Sequence, residues 1–141
     1  MLLNIDPLLS PDLLYVLRAM GHGDEIAIVD ANFPGTSSAQ ELIRLDGVDA
    51  TRALQAILSV LPLDDFVDEA AATMEVVGDP TEVPPAVAEF RTAVGDATTC
   101  GTLERFDFYD RAENCFAIVQ TGDRRLYANI ILKKGVVRHA P

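Results

Sequence analysis

Residues 20–34 read MGHGDEIAIVDANFP, and this stretch decides the fold because it combines a helix end, a strand and the turn that follows. Residues 26–30 form a short apolar run that is typical of a buried strand. Gly21 predicts the end of the preceding helix, and His22 follows it directly. We expect His22 and Asp30 to lie at the same edge of one small unit, where an imidazole and a carboxylate can act together.

His22 is one of two histidines in the chain and is the candidate proton-transfer group. Imidazole is the side chain that most readily exchanges a proton at neutral pH. A position just past the negative end of a helix dipole favours the protonated ring, which suits an acid. The alternative is that Gly-His-Gly is a plain loop. Asp24 either orients the His22 ring or caps the next turn, and both interpretations stay open.

The rest of the chain alternates between predicted helices and strands. One helix follows the N-cap Ser10, a second runs from the cap Asp49 to Pro62, and a third covers residues 85–94. Further strands are predicted over residues 42–45, 73–77, 103–109, 115–120 and 126–132. This alternation predicts an α/β fold, a three-layer α/β/α single domain over residues 1–141 with a central, mostly parallel sheet.

Two of these predicted strands carry polar side chains on one face. Alternation in the first places Arg105, Asp107 and Tyr109 together, and in the second it places Tyr127 beside Asn129. Guanidinium, amide and phenol groups are suited to binding hydroxyl groups. The alternative is a solvated outer face, which we favour for Asp107 and leave open for Tyr127 and Asn129.

Composition narrows the class of partner. Of the 141 residues, 49% are hydrophobic, which is typical of a folded chain with a core, and the formal net charge is −11. So acidic a surface repels phosphate backbones and anionic lipids, so we expect neither nucleic acid nor membrane as a partner. No stretch approaches the ~18–20 apolar residues that a transmembrane helix needs. A neutral sugar or another uncharged polar molecule meets no such electrostatic barrier.

The N-terminal segment and the cysteines bear on the location of the protein, and the histidines bear on metal binding. The N-terminal segment has no basic residue before its apolar part and does not resemble a signal peptide. Cys100 and Cys115 lack the spacing of a metal or redox pair, and in a cytoplasmic protein, the location that we expect, they are most simply reduced. A metal site could use only His22, Asp24 and Asp30, because the other histidine lies near the C-terminus. We expect no metal.

Short segments in a consistent order carry a likeness to a known family. They are residues 5–11, 20–26, 30–34, 105–109, 116–119, 121–122 and 127–135. In these segments the chain resembles the sugar mutarotases, the family that includes L-fucose mutarotase and D-ribose pyranase. The resemblance implies an isomerase without cofactor that interconverts the α and β anomers of a free aldose. It also implies a ring-shaped homo-oligomer, from octamer to decamer, with its sites at subunit contacts.

The resemblance further implies roles for individual residues. His22 matches the proton donor of the family, and Tyr109 matches a tyrosine that acts in the fucose enzymes. The positions that match sugar-binding residues are Asp30, Asp64, Arg105, Tyr127 and Asn129.

Within the family, the Gly-His-Gly-Asp and Asn-Phe-Pro segments resemble the fucose branch, so L-fucose is the expected sugar. Residues 127–129 read Tyr-Ala-Asn as in the pyranases, where fucose enzymes usually have Tyr-Gly-Asn. We expect the extra methyl of Ala128 to face away from its two neighbours. The alternatives are D-ribose pyranase activity and a non-catalytic monosaccharide-binding or regulatory protein.

Overall fold

Six strands form one sheet in the computed structural model, which describes residues 1–140. In chain order they are β1 (Glu25–Val29), β2 (Leu42–Leu45), β3 (Ala71–Met74), β4 (Cys100–Leu103), β5 (Ala117–Thr121) and β6 (Ile130–Lys133). Across the sheet the order is β2-β5-β1-β6-β3-β4. Only β6 is antiparallel to its neighbours, so the predicted, mostly parallel sheet is confirmed.

Helices cover both faces of this sheet. They are α1 (Pro11–Ala19), α2 (Gly35–Ser38), α3 (Ala50–Leu58), α4 (Pro85–Val94) and α5 (Arg105–Glu113), with a 3-10 turn at Gly95–Ala97. One core packs α1, α3 and α4 on the first face, and a smaller core packs α5 on the second. The predicted three-layer α/β/α architecture is therefore confirmed. No helix among residues 1–140 is long and apolar enough to cross a membrane.

Two predicted helix starts are confirmed by their caps. The Ser10 hydroxyl accepts the Leu13 N–H, and the Asp49 carboxylate accepts the Arg52 N–H at 2.7 Å. The predicted end of the second helix at Pro62 is wrong, because α3 ends at Leu58. Residues 59–61 continue as turns whose N–H groups return to α3 carbonyls, so the proline follows a stop that has already occurred.

The prediction of a strand over residues 103–109 is wrong, because β4 ends at Leu103 and a helix begins at Arg105. The Glu104 carboxylate accepts two N–H groups of the first turn of α5 and caps it. Phe108 and Ala112, four residues apart, are buried on one helical face. A short run of alternating residues is compatible with either a strand or a helix. Here the N-cap at Glu104 and the buried face with Phe108 and Ala112 favour the helix.

The predicted strand over residues 126–132 starts too early, since β6 begins at Ile130. Tyr127 has a φ of 63°, a left-handed backbone that cannot continue a strand. The prediction over residues 73–77 is also displaced, because β3 is Ala71–Met74. The strand over residues 42–45 and the helix over residues 85–94 are confirmed.

Candidate active site

A pocket opens at the edge of the sheet where β1, β3 and β4 end and the antiparallel β6 begins. This is the edge at which open α/β sheets bind ligands. The pocket has a volume of about 200 Å³, below the ~300–1,000 Å³ typical of drug-sized ligands, and this size suits a small ligand. Its lining residues are Asp30, Asn32, Phe33, Met74, Val77, Arg105, Tyr109, Leu126, Tyr127 and Asn129.

Asp30 is held firmly at the end of β1. Its backbone N–H donates to Asn129 Oδ1 at 2.9 Å, and its own Oδ1 accepts the Asn32 N–H at 2.9 Å. Only 4% of the residue is exposed, and this burial raises the pKa of the Asp30 carboxyl above its ordinary value. The carboxylate and the amide of Asn129 are thus positioned together, as hydroxyl-binding groups require.

Arg105 and Tyr109 lie one turn apart on α5 and reach the pocket together. The sequence paired them correctly, although the strand alternation that suggested the pair was wrong. Arg105 Nε is buried and has no hydrogen-bond partner among the described residues. Since buried donors are nearly always paired, this atom indicates where a ligand oxygen would bind. Asp107 lies outside the pocket lining and is exposed, which agrees with the solvated interpretation.

The Tyr127 side chain is held in place by the segment that follows β3, because its hydroxyl accepts the Val77 N–H at 3.1 Å. Ala128 between Tyr127 and Asn129 is fully buried in the core on the side of α1, α3 and α4. Its methyl therefore faces away from the pocket, as expected, and the Tyr-Ala-Asn sequence leaves the lining unchanged.

His22 and Asp64 lie at the opposite edge, where β1 and β3 begin. His22 Nε2 is 3.0 Å from Asp64 Oδ1, and 44% of the imidazole side chain is exposed. The same carboxylate oxygen accepts the Phe66 N–H at 3.1 Å. These two contacts, the Phe66 N–H first, hold the pKa of the Asp64 carboxyl below its ordinary value. A buried carboxylate thus orients a half-exposed imidazole.

The expectation that His22 and Asp30 share an edge is wrong. The five residues of β1 separate them, a distance of roughly 17 Å at ~3.3 Å per residue. A strand crosses the whole sheet, so residues that precede and follow it lie at opposite edges. The alternative metal set of His22, Asp24 and Asp30 is not brought together for the same reason. Within residues 1–140, no group of three or more His, Cys, Asp or Glu side chains is arranged to hold a metal ion.

Asp24 does not orient the His22 ring. Its carboxylate accepts the Gly21 N–H at 2.7 Å and closes the turn, which is the capping alternative. His22 is also not the group that lies at the negative end of the α1 dipole, contrary to the expectation from the sequence. Lys134 Nζ donates to the carbonyls of Leu17 and Met20, so an ammonium group occupies the negative end of α1.

Sequence reasoning missed the apolar part of the pocket, which comprises Phe33, Met74, Val77 and Leu126. The Phe33 ring packs against Tyr109 with the ring centroids 5.3 Å apart. Two signals could have found these residues. Phe33 follows Asp30 within the segment quoted first, and Met74 ends a parallel strand at the ligand-binding edge.

The fold and the pocket define a small α/β protein with a polar ligand site at the carboxyl edge of its sheet. Residues 3–137 match the RbsD / FucU transport protein family, and the chain belongs to this family.

Named relatives match over nearly the whole chain. The chain is 43% identical to the fucose mutarotase of Homo sapiens over 147 residues, which cover 98% of this chain and 96% of that protein. It is 45% identical, with a TM-score of 0.90, to the crystal structure of the fucose mutarotase in complex with L-fucose from Streptococcus pneumoniae, covering 97% and 100% of the two chains.

A third relative supports the fold alone. The structure of Bacillus subtilis RbsD complexed with D-ribose is 19% identical with a TM-score of 0.76, and the match covers 92% of this chain and 95% of that one.

Proposed function

We propose that this protein is an isomerase, a mutarotase that interconverts the α and β anomers of free L-fucose. The observation that carries the proposal is the 45% identity, over 97% of the chain, to a fucose mutarotase crystallised with L-fucose. The pocket supports it independently, because it is small and combines hydroxyl-binding side chains with an apolar wall. A 6-deoxy sugar such as L-fucose presents both kinds of surface.

The chemistry is ring opening and closure. A proton is delivered to the ring oxygen while the anomeric hydroxyl loses one, the C1–C2 bond of the open aldehyde rotates, and the ring closes on the other face. Each positioned acid or base contributes typically ~10²–10⁴-fold. In our proposal His22 protonates the ring oxygen, and Tyr109 or a bound water accepts the anomeric proton. The chemistry as written requires neither a metal nor a nicotinamide.

The remaining predicted residues bind the sugar. Asp30 and Asn129, which are hydrogen-bonded to each other, accept and donate to neighbouring hydroxyls. Arg105 offers its unpaired Nε–H, and Tyr127 borders the pocket with its ring. Asp64, expected from the resemblance to contact the sugar, also orients His22.

We further propose that each complete site is shared by two copies of the chain in a ring-shaped homo-oligomer. The support is geometric, because His22 and the pocket lie at opposite edges of one sheet. A contact that joins one edge of a subunit to the other edge of the next is head-to-tail, and such contacts form a ring when the rotation between neighbouring subunits closes. The His22 edge of one subunit would then complete the pocket of its neighbour.

Mixing two inactive variants tests the shared site. H22N removes the acid at one edge, and N129A removes a binding group at the other. If sites are shared, co-refolded subunits recover about a quarter of wild-type activity, because that fraction of random pairs joins an intact His22 to an intact pocket. Mixtures that stay inactive, while each variant assembles normally by size-exclusion chromatography, would show that every site lies within one chain.

Exchange spectroscopy at the anomeric protons tests the activity itself. We expect faster α/β exchange of L-fucose in the presence of micromolar protein, unchanged after exhaustive chelation. Exchange confined to D-ribose would indicate the pyranase alternative. Saturable binding of L-fucose without faster exchange would indicate the non-catalytic alternative. We also propose a cytoplasmic location, which is supported by the two free cysteines, Cys100 and Cys115.

A further inference from the structure

Phe66 is an exposed aromatic ring that contributes nothing to the core of its own subunit. In the single chain 66% of the residue is exposed, and it belongs to neither of the two hydrophobic cores. It follows Asp64 by two residues and lies at the His22 edge of the sheet. Single exposed apolar residues are common on protein surfaces, so exposure alone assigns no role to Phe66.

Phe66 nevertheless makes three separate contacts, one through its backbone and two through its ring. Its backbone N–H donates to Asp64 Oδ1, the same oxygen that orients His22. Its ring packs against the imidazole with the centroids 5.1 Å apart and the planes inclined at 49°. The Arg138 guanidinium lies 5.4 Å from the ring centroid.

Arg138 is itself fixed by the residue between Asp64 and Phe66. Its guanidinium donates to both Asp65 carboxylate oxygens, at 2.7 and 3.0 Å. This two-bonded geometry holds a planar guanidinium in one orientation. Asp65 thus places Arg138, and Arg138 covers the Phe66 ring. Both groups of this ion pair are exposed, so it contributes little to the stability of the chain.

A pre-positioned aromatic ring beside a proton donor is suited to one class of ligand surface. The face of the ring is electron-rich, and it attracts the slightly positive C–H hydrogens of an apolar surface. A galacto-configured pyranose such as L-fucose carries such C–H groups together on one face. The hydroxyls around the rest of the sugar match the polar groups of the opposite pocket.

We propose that Phe66 contacts the sugar, as an aromatic wall that the His22-bearing subunit adds to the pocket of its neighbour. This inference rests on the proposed function, because Phe66 and the pocket lie at opposite edges of one chain. Phe66 and His22 approach the sugar as one unit, since both are tied to Asp64 Oδ1. The ring then fixes the sugar while the imidazole reaches the ring oxygen.

Steady-state anomer exchange in oligomeric protein tests this role. F66A should raise the KM for L-fucose about three- to tenfold, the loss expected for one aromatic contact, with a smaller change in kcat. F66Y should retain the wild-type KM, because it restores the aromatic face. R138Q should raise KM less than F66A does, since the ring remains but is no longer held.

Two controls keep the experiment decisive. Y15A removes another exposed aromatic ring, on α1 and outside the pocket lining, and should leave KM unchanged. F66L keeps most of the apolar volume without the aromatic face, so it should raise KM while the oligomer stays intact. Loss of the oligomer in both F66A and F66L would overturn the proposal, because the ring would then serve the subunit contact.

Other outcomes separate this inference from the proposed function. An F66A variant with unchanged KM and reduced kcat would show that Phe66 acts only by orienting His22, and would overturn the sugar contact. An unchanged KM and kcat would do the same. If the wild-type protein neither binds L-fucose nor accelerates its exchange, the proposed function itself has failed.

Discussion

The two edges of the sheet differ in how their polar groups are held. At the carboxyl edge, Asp30 and Asn129 are nearly fully buried and hydrogen-bonded inside a concave pocket. At the amino edge, His22 projects half exposed from a short turn, oriented by the buried Asp64. One edge therefore has the character of a binding site, and the other exposes an imidazole that a buried carboxylate holds. The difference teaches that a concave pocket and an exposed candidate proton donor are held at opposite edges of one sheet, and in the assembly that we propose they become halves of two different sites.

The largest expected effect is the loss of activity when the imidazole is removed from the amino edge, the edge where β1 and β3 begin. H22N should reduce anomer exchange of L-fucose by about 10²–10⁴-fold, the usual contribution of a positioned acid. Folding should be unchanged, because the imidazole is half exposed. H139N, which alters the other histidine, at an exposed position near the C-terminus, is the matched control and should keep wild-type activity. An H22N variant with near-normal exchange would remove His22 from the mechanism.

The next largest effect is expected at Asp30 on the carboxyl edge, where one substitution should lower activity and raise stability. D30N should lower activity about 10- to 100-fold, because a charged acceptor of hydrogen bonds is lost. The same change should raise the melting temperature at neutral pH. Burial raises the pKa of Asp30, so the charged carboxylate destabilises the native state above that pKa. D46N, at an exposed aspartate, is the control for both measurements.

The pH dependence of D30N gives the sign of this effect. Since the native pKa of Asp30 is raised, the native state binds the proton more tightly than the unfolded chain does. Wild-type stability is therefore lost as the pH rises from the ordinary Asp value of about 3.9 through the raised native value. The stabilisation by D30N should appear across this window and vanish below it. A constant difference at all pH values would contradict the assignment.

A smaller effect, on stability, is expected when Gln120 is replaced, because its side chain holds the backbone at the carboxyl edge of the sheet. Its Nε2 donates to the carbonyls of Asp30 and Phe33, at 3.1 and 2.7 Å. Q120L should lower the free energy of unfolding by about 1–2 kcal/mol, because each carbonyl keeps only one backbone donor. Q40L, which removes an exposed amide-to-carbonyl bond, should change chemical denaturation far less. Equal losses in the two variants would contradict a special role for Gln120.

The smallest expected effect is on the pH dependence of stability, through Asp64 at the amino edge. The Phe66 N–H and His22 hold the pKa of Asp64 below its ordinary value. Its contribution to stability is thus present above the unfolded value and lost as the pH falls through the lowered native value. D64N should flatten this acid limb of the melting-temperature profile, opposite in sign to the effect of D30N. Identical acid limbs in D64N and wild type would contradict the contact.

Local signals predicted much of the fold. The caps Ser10 and Asp49 and the proline that opens α4 use hydrogen bonds or steric preferences that span only a few residues. The predictions that were wrong concern the periodicity of short runs and the backbone conformation of single residues. Residues 105–109 alternate over too short a run to exclude a helix, and Tyr127 takes a left-handed backbone that its residue type does not announce.

The sequence by itself determined the α/β class, the two candidate groups His22 and Asp30, and the segments that resemble the sugar mutarotases. Only the tertiary structure decided which groups meet. Asp64 joins His22, and Asn129 joins Asp30 across 99 positions of the chain. The physical reason is that the edge at which a strand ends depends on its direction and its place in the sheet. Both are set by pairing with distant strands, which no local pattern reports.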